Sequence, residues 1–190
     1  MSVSTTHPAW RAPKTIALVG LMGAGKSSVG RRLAQRLGLP FTDADTEIEK
    51  AAGGASIEEI FERFGEAVFR DRERAVIARL LGNPPHVLAT GGGAFMDPST
   101  RALIRDRAVS VWIRADAELL LTRVARRTNR PLLKRDDPRI VIEKLIAERH
   151  PIYAEADVTV DSADGPPEIT CERILAALAH PLGVAAETRS

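Results

Sequence analysis

Eight consecutive residues, Gly20-Leu21-Met22-Gly23-Ala24-Gly25-Lys26-Ser27, fit the spacing G-x-x-x-x-G-K-[S/T]. Glycines let successive backbone N–H groups turn toward one anion, and a helix opening at Lys26 adds its partial positive charge. Lys26 can then reach the β- and γ-phosphates of a nucleotide, while the Ser27 hydroxyl can ligate Mg²⁺. A glycine-rich turn that merely caps a helix is the plainer alternative. The buried strand pattern before the loop and the amphipathic helix pattern after it weigh against that alternative.

Further chemistry follows other strand ends. In Asp43-Ala44-Asp45, one carboxylate can face a metal and the other an acceptor hydroxyl, although an Asp at a helix start is also a routine N-cap. The third strand ends in Gly91-Gly92-Gly93 where many phosphate-loop proteins carry an acid, so Asp43 is the nearest candidate to support the metal. Glycines there allow close backbone approach and N–H donation to a ligand, or form a plain connector. Arg70 and Glu73 lie one helical turn apart on a face shared with Ile77 and Leu81. Such a pair is either an edge salt bridge or an Arg held by its Glu to present its fork to a carboxylate. Arg149 continues the inward face of Ile142, Leu145 and Ile146. Two inward arginines imply an anionic ligand.

Elements that would position these residues alternate between short apolar runs and helical patterns. Strands are expected at 15–20, 40–43, 87–90, 109–114 and 157–160. Helices are expected at 26–37, from the Ser56 capping box to Phe64, at 66–81, 116–127, 138–153 and 167–178. Strands separated by helices argue for parallel βαβ units, an α/β sheet covered on both faces. Ligands in such folds sit at the carboxyl ends of the strands, which brings the three loops to one rim.

The basic stretch Arg123, Arg126, Arg127, Arg130, Lys134 and Arg135 surrounds a Pro-rich segment near 129–137. It reads as a solvated face or, beside a phosphate loop, as a lid over about 123–137 that closes an Arg onto phosphates and excludes water. The acceptor-binding region is expected over about 43–82, inside a single domain spanning 14–180. Tails 1–13 and 181–190 have the composition of disordered segments.

Composition removes whole classes of function. Lys plus Arg number 27 against 25 Asp plus Glu, a formal charge of +2, too small to argue for a nucleic-acid partner. One cysteine, Cys171, cannot form an internal disulfide, which fits a reducing cytoplasm. No apolar run approaches the ~18 residues that span a bilayer. A guanine switch would carry Asn-Lys-x-Asp and Asp-x-x-Gly, and neither string occurs.

With GLMGAGKSSVGRRLA, FTDADTEIE, FRDRE, ATGGGAF, RPLL and ERHPIYAEAD together, the chain resembles the shikimate kinase family from about Lys14 to Ala179. The resemblance implies a three-layer P-loop NTPase/kinase fold with a five-stranded parallel sheet in order 2-3-1-4-5. It also implies a cytoplasmic, monomeric enzyme of aromatic amino-acid synthesis that uses ATP and Mg²⁺ to phosphorylate the 3-hydroxyl of shikimate. Carried over by motif, the loop residues Gly23, Ala24, Gly25, Lys26, Ser27 and Ser28 hold the phosphates. Ser27 and Asp43 serve the metal, the latter through water. Asp45 binds the acceptor hydroxyl and acts as base, Arg70 and Arg149 clamp the carboxylate, and Glu73 positions Arg70. Backbone from Gly91 through Gly92 to Gly93 contacts the ring, and Arg130 reaches the ATP phosphates from the lid. The lid, ARRTNRPLL, is shorter than in many relatives, so which of Arg123, Arg126 and Arg127 meets adenine stays open. The segment 161–167 is expected near adenine by position. The competing readings are a gluconate or nucleoside monophosphate kinase, and a nucleotide-binding protein without turnover.

Overall fold

The structure, a computed structural model, describes residues 14–125 and 137–179 of the 190. Five strands, β1 (Thr15–Val19), β2 (Phe41–Asp43), β3 (Val87–Ala89), β4 (Ala108–Arg114) and β5 (Val158–Asp161), form one parallel sheet in order 2-3-1-4-5. β1 lies between β3 and β4, with Ile16 opposite both Val87 and Val109. Its five residues are all buried, which suits a central strand covered on both faces.

Among the described residues seven α-helices cover the sheet: α1 (Lys26–Leu37), α2 (Ala44–Ala51), α3 (Ile57–Leu80), α4 (Pro98–Arg107), α5 (Ala117–Ala125), α6 (Pro138–Tyr153) and α7 (Pro167–Leu178). α1 runs to a Gly38 C-cap at φ 64°, and its inward stripe Val29, Leu33 and Leu37 packs into the core with Ile16 and Leu18. α1 and α7 also meet through ion pairs, Arg32 with Glu168 and Arg36 with Glu172.

α3 begins with the expected capping box, in which Ser56 and Glu59 exchange side-chain and backbone bonds. Two helices were expected on either side of Gly65, and they run on as α3 with a break there, at φ 80° and ψ 171°. That conformation is open almost only to glycine. Two helices differ from the sequence reading altogether. α2 starts straight off β2 and buries only Ala44 and Ile48. α4 is capped by Asp97 and buries only Thr100 and Ile104. No helix of the described residues is long and apolar enough to cross a membrane.

Candidate active site

β1 ends at the phosphate loop, and Gly25 stands as the α1 N-cap at φ 100°, a left-handed conformation that favours glycine. Lys26 is almost wholly buried, and its Nζ donates to the carbonyls of Gly20 at 2.7 Å and Leu21 at 3.0 Å. Ser27 Oγ donates to Asp43 Oδ2 at 2.6 Å. The other oxygen of the same carboxylate accepts from the Asp45 N–H at 3.1 Å. Asp43 is therefore an α2 N-cap and a partner of the phosphate-loop hydroxyl at once. Of the alternatives that its sequence position offered, the N-cap is the one realised in these contacts.

These groups line a cleft of about 550 Å³ with Gly23, Gly25, Ser28, Asp45, Arg70, Glu73, Gly91, Gly92, Gly93 and Arg149. Of the expected phosphate-loop residues, Ala24 is fully buried and does not line the cleft, so its contribution is confined to its backbone. Ile57, Phe61 and Phe69 add an apolar wall.

On the acceptor side, Arg70 Nη1 donates to Glu73 Oε2 at 2.6 Å, while Nη2 reaches Glu66 at 3.3 Å. Glu73 Oε1 is buried with no hydrogen-bond partner among the described residues. Burial pushes the Glu73 carboxyl above its usual range, and the nearby Asp45 carboxylate adds to the rise while Arg70 and Arg149 oppose it. A Cβ on Gly91 would lie 2.6 Å from Glu73 Oε1 and 2.9 Å from Asp45 Oδ1. The missing side chain at position 91 is what lets two carboxylates converge on the end of β3.

The three glycine carbonyls are all engaged by the protein. Gly91 O accepts from Ala94 N at 3.3 Å and Gly93 O from Met96 N at 3.0 Å, closing a 3-10 turn at Ala94–Met96. Gly92 O accepts from Arg149 Nη1 at 3.0 Å and from the Tyr153 hydroxyl. No partner for the three N–H groups occurs among the described residues.

Arg123 belongs to α5 and bridges two loops. It donates to the carbonyls of Gly23 at 3.2 Å, Ala24 at 3.0 Å and Ala163 at 2.6 Å, and to Ser162 Oγ at 2.9 Å. Gly165, Pro167 and Thr170 line the same end of the cleft, which puts part of the segment expected near adenine beside the phosphate loop. Tyr153 was not singled out from the sequence; its place four residues after Arg149 on one helix face was the available signal. Arg130, Arg126, Arg127, Lys134 and Arg135, with most of the expected lid and both tails, lie outside the described residues.

Mg²⁺ generally takes one or two protein oxygens and fills its octahedron with phosphate oxygens and water. The Ser27 hydroxyl and Asp43 carboxylate, 2.6 Å apart beside the phosphate loop, are a donor pair of that kind. Among the described residues no group of three or more His, Cys, Asp or Glu side chains could hold a metal by itself.

A phosphate loop facing acids and arginines across one sheet edge belongs to the P-loop kinases that phosphorylate small molecules, and the enzyme is a phosphotransferase. The comparisons narrow that class. The family model for shikimate kinase matches residues 22–179. A shikimate kinase of Paramagnetospirillum magneticum is 61% identical over 168 residues, covering 88% of this chain and 86% of its own. Another, from Caulobacter vibrioides, is 62% identical over 165 residues, covering 87% and 82%. A solved shikimate kinase from Acinetobacter baumannii in complex with shikimate superposes with a TM-score of 0.84 at 40% identity, covering 88% of this chain and 94% of that one. The chain belongs to the shikimate kinase family.

Proposed function

We propose that the cleft holds ATP along the phosphate loop and shikimate between Asp45, Arg70 and Arg149, and that the γ-phosphoryl passes to the 3-hydroxyl. The products are shikimate 3-phosphate and ADP. The observation that carries this reading is that Asp45, Glu73, Arg70 and Arg149 gather around the Gly91–Gly93 loop in the same cleft as Lys26 and Ser27. A carboxylated ring alcohol needs arginine for its carboxylate and an acid for its hydroxyl.

Each group then has one task. Lys26 exchanges the Gly20 and Leu21 carbonyls for phosphate oxygens, and the N–H groups from Gly23 to Ser28 cradle the same anion. Arg70, braced by Glu73, and Arg149 orient the ring acid by its carboxylate. Asp45 orients the 3-hydroxyl and takes its proton as that oxygen bonds to the γ-phosphorus and the bond from phosphorus to the leaving ADP oxygen breaks. Ser27 and Asp43 would hold Mg²⁺, which would supply charge neutralisation at the phosphates. Adenine lies toward Arg123 and the segment 161–167, and Arg130 reaches the phosphates from the lid. The enzyme works as a cytoplasmic monomer without nucleic-acid or membrane partners.

ADP release measured in a coupled assay with shikimate, gluconate or AMP as acceptor tests the assignment. Turnover with shikimate is expected. Turnover with gluconate or AMP alone would move the chain to another kinase reading, and none with any acceptor would favour a binding protein.

A further inference from the structure

We infer that Tyr153, through its hydroxyl on the Gly92 carbonyl, is a positioning residue that frees Arg149 to bind the acceptor's carboxylate. The inference deepens the proposed function and rests on it.

Tyr153 is fully buried, and its ring stacks on Trp112 at 5.9 Å and Phe95 at 6.3 Å between centroids. The packing fixes where its single hydroxyl points. Burial pushes that hydroxyl up to about 12, so it stays a hydrogen-bond donor throughout the neutral range. Its acceptor is Gly92 O, the carbonyl that also accepts from Arg149 Nη1 at 3.0 Å. One helical turn separates the two donors on α6, so they descend on the same atom from one face.

This double occupancy matters when a ligand arrives. Arg149 must turn part of its fork to an incoming carboxylate, and a partly buried carbonyl left without a donor is costly. With Tyr153 in place, Gly92 O keeps a partner while Arg149 changes hands. Gly91 O and Gly93 O are bound inside their own turn, so Gly92 O is the one carbonyl of the loop whose partner is also a ligand group. Without the hydroxyl, Arg149 either stays on Gly92 O or leaves that carbonyl with no donor when it turns to the substrate.

Tyr153→Phe removes the donor and keeps the ring. The expected result is a roughly 5- to 50-fold rise in KM for shikimate, with KM for ATP unchanged and kcat changed by less than about threefold. A variant that merely loosens the fold would lower the active fraction and leave both KM values in place. Against Arg149→Ala the effect is non-additive: the double variant is little worse than Arg149→Ala alone, because Tyr153 acts through that arginine. The chain holds one tyrosine, so 3-fluorotyrosine incorporation gives a single fluorine resonance at position 153 without any substitution. Saturating shikimate should move that resonance, and ADP alone should not. An unchanged KM for shikimate, additive effects in the cycle, or a resonance indifferent to shikimate overturns the inference. Wild-type turnover with shikimate is measured in parallel. If it is absent, the proposed function fails; if it is present, only the role of Tyr153 is in question.

Discussion

At the residue scale the site is a set of charges that would repel or strand one another unless each had its partner within a few ångströms. Asp43 answers both Ser27 and the Asp45 N–H, and Glu73 spends one oxygen on Arg70 while the other is buried unpaired. Asp45→Asn keeps the shape and removes the proposed base, so turnover should fall by about 100-fold or more while ADP still binds in a calorimetric titration. Near-normal turnover would remove Asp45 from the reaction. Arg70→Ala should weaken shikimate binding by about 10- to 1000-fold, the loss of one or two charge-assisted hydrogen bonds, and leave ATP binding alone. Most of this site was legible from residue types and spacing, because a phosphate loop and a pair of acids declare their chemistry locally. The partners of Tyr153 and Arg123 were not, since they include backbone carbonyls 61 and about 100 residues away, which no local spacing reveals.

Among the elements, legibility followed how much apolar surface each one buries. α1, α6 and α7 fall where periodicity and caps put them, Lys26–Leu37, Pro138–Tyr153 and Pro167–Leu178. α2 and α4 bury two residues each with little apolar packing beside them, unlike α6, where Leu145, Ile146 and Ile152 pack partly buried beside Ile142 and Tyr153, though Asp97-Pro98 was a usable start signal for α4. Asp97 deserves a test of its own. The Ser99 hydroxyl first, then the Thr100 N–H and Arg74, pull its carboxyl down to about 2. An acid lowered in the folded state adds stability above its unfolded value, and that stability is lost as the pH falls through the folded value. Asp97→Asn should therefore destabilise by about 1–2 kcal/mol near neutral pH in chemical denaturation, with the difference shrinking toward about pH 2. At Gly65 a Cβ would meet nothing within 4 Å, yet φ is +80°. Gly65→Ala should cost about 1–3 kcal/mol of stability through backbone strain alone. An unchanged denaturation midpoint would show that α3 does not hold this break in solution.

For the molecule as a whole, alternating strands and helices were enough to read a parallel α/β sheet, because βαβ connections leave few other arrangements. The order 2-3-1-4-5 was not readable from periodicity; it came from the family resemblance, and the sheet has that order. That order sets the central strand, β1, between β3 and β4, so the phosphate loop and the Gly91–Gly93 loop leave neighbouring strands side by side. A Cβ on Gly92 would lie 3.3 Å from Met22 N, so the phosphate loop and the Gly91–Gly93 loop approach closely. The central claim is that this approach brings phosphoryl donor and ring acid together over Asp45. A crystal structure with ADP and shikimate both bound measures it directly. The account predicts the carboxylate on Arg70 and Arg149 and the 3-hydroxyl within about 3 Å of Asp45, facing the phosphate loop. Shikimate seated away from Asp45 and both arginines would contradict it.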